Sequence, residues 1–386
     1  MEFSLEDVCF QSYAPVKSSA YIKVIKDMQF EGIPDDFEFV HCHMARMGGS
    51  QYMMNIGFAI YFVDTKSLTA KKADFDMSNA TGRYIKADIQ DYDLQHCFIN
   101  GEYMLLLTVF GGMVILRGLK YIGQIKFDYK LEVCKNRQPI YSRYAQQVGN
   151  TVYALDHSRS LYRIEWQDIK EGIYEKKHIK SKVDNFYVDR VLFLSTLDND
   201  GTLYLDNEVV VHLTKVNTEA QWLIVTCVAN YWIVSGGLDL DRDGHAIIAA
   251  VNKHGEIKST LKFKLTTNGC VDQISQNYDS PVEGGYFAKF ADTEGGTVKF
   301  AGIFALRKVY ITGMRGIMMA IDRDGCCHLI AVDYGRLSLL QSIDSIVPRY
   351  IEKENHLVMS VTATAVKGQF IVGGLGWTRM ISVKVK

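Results

Sequence analysis

Hydrophobic and polar residues alternate along this chain in short runs that are separated by turn-forming residues. In residues 231–263, three runs, Tyr231–Leu238, His245–Val251 and Glu256–Phe263, are joined by clusters rich in Asp, Asn and Gly. Short runs with many β-branched residues, bounded by such clusters, are typical of strands rather than helices. The stretch therefore predicts an antiparallel meander, in which each strand pairs with the next through a tight turn.

The same strand–turn–strand pattern recurs along the chain at a rough period. Asp156 to Asp198 is 42 residues, Asp198 to Asp241 is 43 residues, and Asp241 to Asp322 is 81 residues, close to two periods. The closest internal match is the sequence Asp-Arg-Asp-Gly, which begins at both Asp241 and Asp322. A β-rich repeat of roughly 40–50 residues indicates a propeller, in which four-stranded blades surround a central channel.

We predict an all-β propeller of seven blades, with eight as the alternative, in a single domain spanning residues 1–386. Residues 264–307 blur the count and are interpreted as an extra blade or an insertion. The chain ends after what is predicted to be a third strand, so an N-terminal strand, best placed at Ala20–Asp27, is expected to join the C-terminal blade. Closing the ring in this way removes exposed sheet edges.

A few local features are less regular. A turn is placed at Gly123, after the run Met113–Ile122. Ser342–Leu357 is expected to hold a short turn of helix. Lys170–Val183 is interpreted as a charged strand end with a loop. Its lysines, Lys176, Lys177, Lys180 and Lys182, are interpreted as part of a solvated charged hairpin, with a surface for an acidic partner as the alternative.

Composition narrows the class of protein. Hydrophobic residues make up 48% and aromatic residues 12%, which favours an ordered, strand-rich core. The 43 basic and 44 acidic residues give a net charge of −1, so no nucleic-acid or anionic-membrane partner is expected. The N-terminus lacks the pattern of a signal peptide, and no hydrophobic run has membrane-spanning length. We therefore expect a cytosolic or nuclear protein, whose eight scattered cysteines stay reduced.

Several segments resemble blades of known propellers. The runs NTVYALD and SLYRI, LDNDGTLYL and FIVGGLGWTRMISVKV look like blades of β-propeller families of the WD40 and quinoprotein-like kind. The resemblance covers most of the chain and implies the architecture. The Trp-Asp signature of WD40 repeats is absent, and so is the Trp and Gly docking motif of the quinoprotein alcohol dehydrogenases. No specific family is therefore assigned and no cofactor is expected.

The alternating carboxylates Asp239, Asp241 and Asp243, followed by Gly244, form the sharpest chemical motif. Such oxygens can converge on Ca²⁺. The position where an EF-hand needs its last carboxylate is Ala250, and the ninth position, which the calcium loop of integrin-type propellers needs, is also apolar. We interpret the motif as a hairpin turn stabilised by side-chain-to-backbone hydrogen bonds, with calcium binding as the alternative.

Two clusters carry possible metal ligands, His41-Cys42-His43 and Cys326-Cys327-His328. Zinc sites are normally built from spaced pairs, and neither cluster has a second pair at such a spacing. Both are interpreted as structural strand residues. The segment Thr196–Tyr204 is reminiscent of the Asp-box of sialidases, but its spacing fails and it is interpreted as another blade turn.

No linear catalytic motif is present, and no catalytic, cofactor-binding or metal-binding residue is assigned. The favoured hypothesis is a non-catalytic scaffold that binds protein partners as a subunit of a larger assembly. The alternatives are a hydrolase or lyase with a site at the channel mouth, and a propeller that binds small ligands or glycans. Exposed aromatic or Met anchors are expected in residues 73–100, 128–148 and 264–300.

Overall fold

The computed structural model describes most of the strand-forming part of the chain. The described residues are 20–33, 44–56, 59–80, 94–108, 112–127, 144–156, 160–183, 185–188, 192–197, 202–205, 209–212, 223–228, 230–236, 245–264, 303–312, 315–322, 325–343, 345–351, 358–374 and 376–385.

Nearly all of these residues lie in strands. In chain order the strands are β1 (Ala20–Asp27), β2 (Met44–Gly48), β3 (Gln51–Ile56), β4 (Ala59–Asp64), β5 (Thr69–Lys72), β6 (Leu94–Asn100), β7 (Tyr103–Thr108), β8 (Gly112–Arg117), β9 (Lys120–Lys126), β10 (Tyr144–Val148), β11 (Thr151–Leu155), β12 (Leu161–Glu165), β13 (Lys177–Lys180), β14 (Asn185–Val188), β15 (Leu192–Leu197), β16 (Thr202–Leu205), β17 (Val209–His212), β18 (Leu223–Val228), β19 (Tyr231–Gly236), β20 (His245–Val251), β21 (Ile257–Lys264), β22 (Ile303–Thr312), β23 (Arg315–Asp322), β24 (Cys327–Asp333), β25 (Arg336–Ile343), β26 (Val358–Ala363), β27 (Gln369–Gly374) and β28 (Trp377–Val385).

The described strands form seven four-stranded antiparallel sheets, each of which is a propeller blade. Blades 1 to 6 are the consecutive sets β2–β5, β6–β9, β10–β13, β14–β17, β18–β21 and β22–β25. The seventh sheet, here called the closing blade, has the order β1-β28-β27-β26. The all-β propeller that the sequence predicted, with seven blades as the favoured number, is therefore confirmed as the fold.

The two ends of the chain meet in the closing blade. Strand β1 pairs antiparallel with β28, in a register that runs from Ala20 opposite Val385 to Asp27 opposite Arg379. The predicted N-terminal strand Ala20–Asp27 is therefore confirmed with its predicted bounds. Because β1 is the outermost strand of a sheet whose other strands come from the C-terminus, backbone hydrogen bonds close the ring.

Hydrophobic cores lie between neighbouring blades. Blades 2 and 3, for example, share a cluster that includes Leu105 and Ile115 on one side and Val152 and Ile164 on the other. The middle strands of a blade pack on both faces, which explains near-continuous hydrophobic runs such as the fully buried Leu105–Leu107. Each such side chain contributes about 2 kcal/mol on burial, so blade-to-blade packing is a major source of stability.

The sequence suggested that the 81-residue interval between Asp241 and Asp322 spans two blades. The structure shows that it does not. Side chains of blade 5, such as Ile248, pack directly on side chains of blade 6, such as Met318, in one core cluster. The interval is therefore a single step around the ring. This packing favours an insertion over an extra blade for residues 264–307, although this stays a prediction because residues 265–302 lie outside the described residues.

The turn predicted at Gly123 lies instead at Gly118-Leu119, between β8 and β9. Gly123 is inside β9, and a Cβ atom at this position would lie 2.4 Å from the ring of Tyr174. The glycine is therefore needed for the close approach of an aromatic side chain from blade 3. In the sequence alone, a glycine with this role looks the same as a glycine that forms a turn.

Helical structure is found where the sequence did not predict it. A five-residue helix, α1 (Trp166–Lys170), follows β12, and β13 begins at Lys177, so Lys170–Val183 is not simply a strand end with a loop. Conversely, the described part of Ser342–Leu357 contains the end of β25 and a turn at Pro348–Ile351 but no helix. Within the described residues, no helix is long and apolar enough to cross a membrane.

Two short crossing segments tie neighbouring blades together at their outer strands. After β1, Glu31 forms a parallel bridge with Thr69 of β5, and after β5, Asp76 forms one with Lys120 of β9. Gly32, with φ of +94°, follows the first bridge, and a Cβ atom there would lie 2.4 Å from the carbonyl oxygen of Ala70. The crossing therefore depends on a glycine both for its backbone conformation and for its close approach.

Candidate interaction surface

Exposed large hydrophobic side chains are concentrated in the closing blade. Among the described residues, eleven large hydrophobic side chains are exposed, and five of them belong to this one sheet and its β26–β27 turn. These five are Tyr21, Val24, Ile25, Val366 and Val385. Single exposed hydrophobic residues are normal on protein surfaces, but a concentration of them indicates a binding surface.

The same blade is also positively charged. Its described residues, 20–27, 358–374 and 376–385, include five basic side chains and one acidic side chain, Asp27, which gives a formal charge of +4. The basic residues are Lys23, Lys26, Lys367, Arg379 and Lys384. Since the whole chain has a net charge of −1, the positive charge is a local property of this blade.

Strand register places Tyr21 together with two lysines. Tyr21 is paired with Lys384 and Lys23 with Ser382, so Tyr21, Lys23 and Lys384 lie on one face of the sheet. The alternate residues Ala20 and Ile22 are buried in the core shared with blade 6. Val24 and Val385 lie on that second face, because Val24 continues the alternation and Val385 is paired with Ala20. The exposed residues on both faces of this sheet and at its β26–β27 turn are called the closing-blade surface below: Tyr21, Lys23, Val24, Ile25, Val366, Lys384 and Val385.

The outer edge of β1 is not a regular strand edge. The backbone N–H of Ile22 donates a hydrogen bond of 2.9 Å to the side-chain oxygen of Gln341 in β25. The register shifts between Val24 and Lys26, so Ile25 lies at a bulge. Val24 and Ile25 are 39% and 41% exposed, respectively. A bulge with a neighbouring lysine is a feature by which proteins prevent another strand from adding to an open edge.

Side-chain contacts fix β1 in place. The Arg379 guanidinium forms an ion pair with Asp27 at the end of β1 and donates a 2.7 Å hydrogen bond to the carbonyl oxygen of Ile346. Lys26 donates through Nζ to the carbonyl oxygen of Thr65 in blade 1, at 2.7 Å. The strand is thus tied to both neighbouring blades, so the closing-blade surface lies on a supported scaffold.

Comparison with known proteins identifies a fold. No family model matches the chain, and no curated protein matches its sequence. A chain in the crystal structure of the Mitotic Checkpoint Complex matches with a TM-score of 0.56 and 10% identity, covering 99% of this chain and 98% of that one. The WD40 propeller domain of Doa1 matches with a TM-score of 0.52 and 13% identity, with coverages of 94% and 97%. BBS1N in complex with ARL6DN matches with a TM-score of 0.51 and 11% identity, with coverages of 95% and 97%.

The chain is a β-propeller. At identities of 10–13% the likeness shows the fold alone, and function has to be argued from the propeller's own surfaces.

The cluster Cys326-Cys327-His328 lies in the core of blade 6 of the propeller. All three side chains are buried, and burial lowers the pKa of His328 to about 4. Burial is also the main cause that raises the pKa of Cys327, with a smaller contribution from Asp322. His328 Nδ1 is hydrogen-bonded to the hydroxyl of Ser342 at 2.8 Å. The cluster is therefore structural, in agreement with the interpretation from the sequence.

Asp322, the first residue of the second Asp-Arg-Asp-Gly sequence, is joined to Cys326 by two hydrogen bonds. Asp322 N–H donates to the carbonyl oxygen of Cys326 at 3.0 Å, and Cys326 N–H donates back to Asp322 Oδ1 at 2.8 Å. Asp156 with Ser160 and Asn252 with Glu256 repeat both bonds at almost the same distances. The carboxylate or amide thus caps a five-residue turn, which is what such side chains do in hairpins.

The matching motif around Asp239, Asp241 and Asp243 lies outside the described residues. Its hairpin-turn interpretation stays a prediction, supported by the geometry at Asp322. His41-Cys42-His43 also lies outside the described residues. Within the described ranges, no group of three or more His, Cys, Asp or Glu side chains is arranged to hold a metal ion.

Lys176 is not part of a solvated hairpin, in contrast to the prediction. Its Nζ lies 4.7 Å from the ring centroid of Phe127 and 4.3 Å from that of Tyr162, so the ammonium group makes two cation–π contacts. Lys177 pairs with Asp168 of α1 at 2.8 Å. Of the four lysines, Lys182 is fully on the surface and Lys180 is half-buried. Lys176 is less exposed than Lys182 because it contacts Phe127, which follows the last strand of blade 2.

The described parts of the predicted anchor segments, residues 73–80, 97–100 and 145–148, contain none of the eleven exposed hydrophobic residues. The side chains of the other residues in 73–100, 128–148 and 264–300 lie outside the described part of the chain, so the anchors stay a prediction there. The closing-blade surface was not predicted, because strand patterns do not reveal which strand is outermost. The only available signal was the composition of residues 20–26, in which two lysines alternate with hydrophobic residues at the expected ring closure.

An open groove lies between blades 1 and 2, with a volume of ≈ 440 Å³. It is lined by Met47, Phe62, Lys71 and Leu119 among others. Its lining combines these hydrophobic side chains with the polar residues Gln51, Asp64 and Thr69. Asp64 already accepts hydrogen bonds from the backbone N–H groups of Lys66 and Ser67.

Proposed function

We propose that this propeller is a non-catalytic platform for protein–protein interaction, which acts as a subunit of a larger assembly. The observation that carries the proposal is the closing-blade surface, because one blade of the seven described holds five of the eleven large hydrophobic side chains that are exposed among the described residues. Hydrophobic side chains on a polar, rigid rim are the usual anchors of a protein interface.

The architecture supports this function. Each blade is packed against its neighbours, and β1 is tied by Arg379 and Lys26 to both sides, so the surface needs little reorganisation to bind a partner. Two of the similar solved propellers come from complexes, the Mitotic Checkpoint Complex and BBS1N with ARL6DN. Those proteins illustrate that the fold is used in assemblies. The proposed setting is the cytosol or nucleus.

Site-specific photo-cross-linking in the native cells would test the proposal. A photoreactive amino acid is placed at Ile25 of the closing-blade surface, and, as the matched control, at Ile173 in blade 3, which is similarly exposed. We expect a reproducible partner, at near-stoichiometric yield in mass spectrometry, from position 25 and not from position 173. Recovery of the propeller as a monomer with no partner from position 25 would contradict the proposal.

A further inference from the structure

We infer that the closing-blade surface binds a partner segment that combines acidic side chains with hydrophobic anchors. The inference rests on the proposed function and adds the chemistry of the partner. It follows from three properties of the described surface: its excess of positive charge, its hydrophobic side chains and the irregular edge of β1.

The positive charge of the surface is available to a partner. Lys23 and Lys384 are both exposed, and no ion pair joins either of them to another described residue. Asp27, the acidic residue of the blade's described part, is already paired with Arg379. Acidic side chains of a partner would therefore meet two exposed lysines that form no ion pair with the described residues, which favours fast association and specificity.

Tyr21 lies beside these lysines, because it is the cross-strand neighbour of Lys384 and alternates with Lys23 on the same face. Ile25 lies at the bulge, two residues after Lys23. Val24 and Val385 lie on the opposite face of the sheet. A partner that offers charge alone would leave these side chains in water, so the matching segment carries hydrophobic residues between its carboxylates.

The edge of β1 indicates how the partner binds. Gln341 already accepts the Ile22 N–H, and the bulge at Ile25 interrupts the ladder of backbone groups. A partner strand cannot extend the sheet in regular register under these conditions. Recognition therefore depends on side chains, and the charged and hydrophobic contacts carry the affinity.

Nucleic acid and membrane surfaces fit less well. Of the blade's basic groups, Lys26 and Arg379 already have protein partners, so few remain for a run of phosphates. The exposed aliphatic side chains have no role against a phosphate backbone. An anionic bilayer is bound by clusters of about four to eight basic residues, and the closing-blade surface presents Lys23 and Lys384. An acidic protein segment is therefore the occupant favoured by the charge and the hydrophobic side chains together.

The test measures binding of two synthetic peptides to the full-length chain. The probe peptide alternates Glu and Leu, and the control peptide has Gln in place of each Glu. We expect the acidic peptide to bind, with affinity that falls as salt is added, and the neutral peptide to bind at least about tenfold more weakly. Photo-cross-linking from position 25 then maps the contact.

Matched variants assign the binding to the closing-blade surface. Lys23→Glu/Lys384→Glu should weaken binding of the acidic peptide at least about tenfold and reduce its salt dependence. The control Lys126→Glu/Lys253→Glu makes the same change in net charge at exposed lysines of blades 2 and 5 and should leave binding unchanged. Tyr21→Ser/Ile25→Ser should weaken binding without changing the salt dependence.

Three outcomes would overturn the inference. These are equal binding of both peptides, equal loss in the control variant, or binding of vesicles of phosphatidylcholine with phosphatidylserine in place of the acidic peptide. The native cross-linking separates this failure from that of the proposed function. If position 25 captures a partner whose cross-linked segment lacks acidic residues, the platform function stands and the inferred partner chemistry is wrong.

Discussion

Individual buried polar residues determine the turns of this propeller. Asp322 and Asp156 are buried, and each accepts a hydrogen bond from the backbone N–H four residues later, as the half-buried Asn252 also does. The sequence predicted that Asp in these positions makes turns, because Asp and Asn side chains readily bond to nearby backbone groups. It could not show that the carboxylates are buried, since burial depends on the neighbouring blade.

Replacing Asp322 tests the contribution of its side chain. Asp322→Ala removes the acceptor and leaves Cys326 N–H buried without that bond, so we expect the free energy of unfolding to fall by about 1–3 kcal/mol. Asp322→Asn keeps an acceptor oxygen, as Asn252 does in the same kind of turn, and should cost clearly less. Urea denaturation of the three proteins measures this. Equal losses for Ala and Asn would show that the hydrogen bond is not the cause.

His328 predicts a pH dependence of stability. Burial lowers its pKa to about 4 in the folded protein, whereas an unfolded His takes up a proton below about pH 6.5. Unfolding therefore takes up a proton between these values, so the free energy of unfolding falls as the pH decreases through this window. At about pH 5 the expected loss from this residue is about 1–2 kcal/mol relative to neutral pH.

The His328→Gln variant supplies the control for this effect. It keeps a side chain that can hydrogen-bond to Ser342 but cannot titrate. Urea denaturation at neutral and mildly acidic pH should show a smaller loss for the variant than for the natural protein. Parallel pH profiles of the two proteins would mean that His328 does not contribute.

At the scale of elements, β1 has two different roles on its two faces. Ala20 and Ile22 are buried in the core with blade 6, whereas Tyr21 and Lys23, on the opposite face, are exposed. The strand was predictable from its sequence because hydrophobic and polar residues alternate in it. Its exposed hydrophobic residues were not predictable as a surface, because only the order of strands in the sheet places β1 at the outside of the ring.

A matched pair of alanine variants tests the structural role of β1. Ile22→Ala creates a cavity in the core shared by the closing blade and blade 6, so we expect a loss of about 2–4 kcal/mol in the free energy of unfolding. Val24→Ala, in the same strand at an exposed position, should cost less than about 0.5 kcal/mol. Urea midpoints and protease resistance measure both. If Ile22→Ala is as stable as Val24→Ala, closure by β1 does not stabilise the ring.

At the scale of the whole molecule, stability and function depend on contacts between blades. The core clusters join successive blades, including the closing blade with both blade 6 and blade 1. This packing also shows that the prediction of two blades within the 81-residue interval was wrong. The interval is one step around the ring, since Ile248 and Met318 share a core. A long segment between two blades adds length to the chain without adding a step to the ring.

The sequence by itself determined the strands, their turns and the repeat, because these depend on local alternation and on the backbone preferences of Asp, Asn and Gly. It also determined the closing strand, because a three-stranded last blade needs a fourth strand. Only the tertiary structure decided which side chains are exposed, as at Val24 and Lys23, and which are enclosed, as at Lys176. The physical reason is that exposure and local charge are set by neighbours distant in sequence, such as β1 and β28 at opposite ends of the chain.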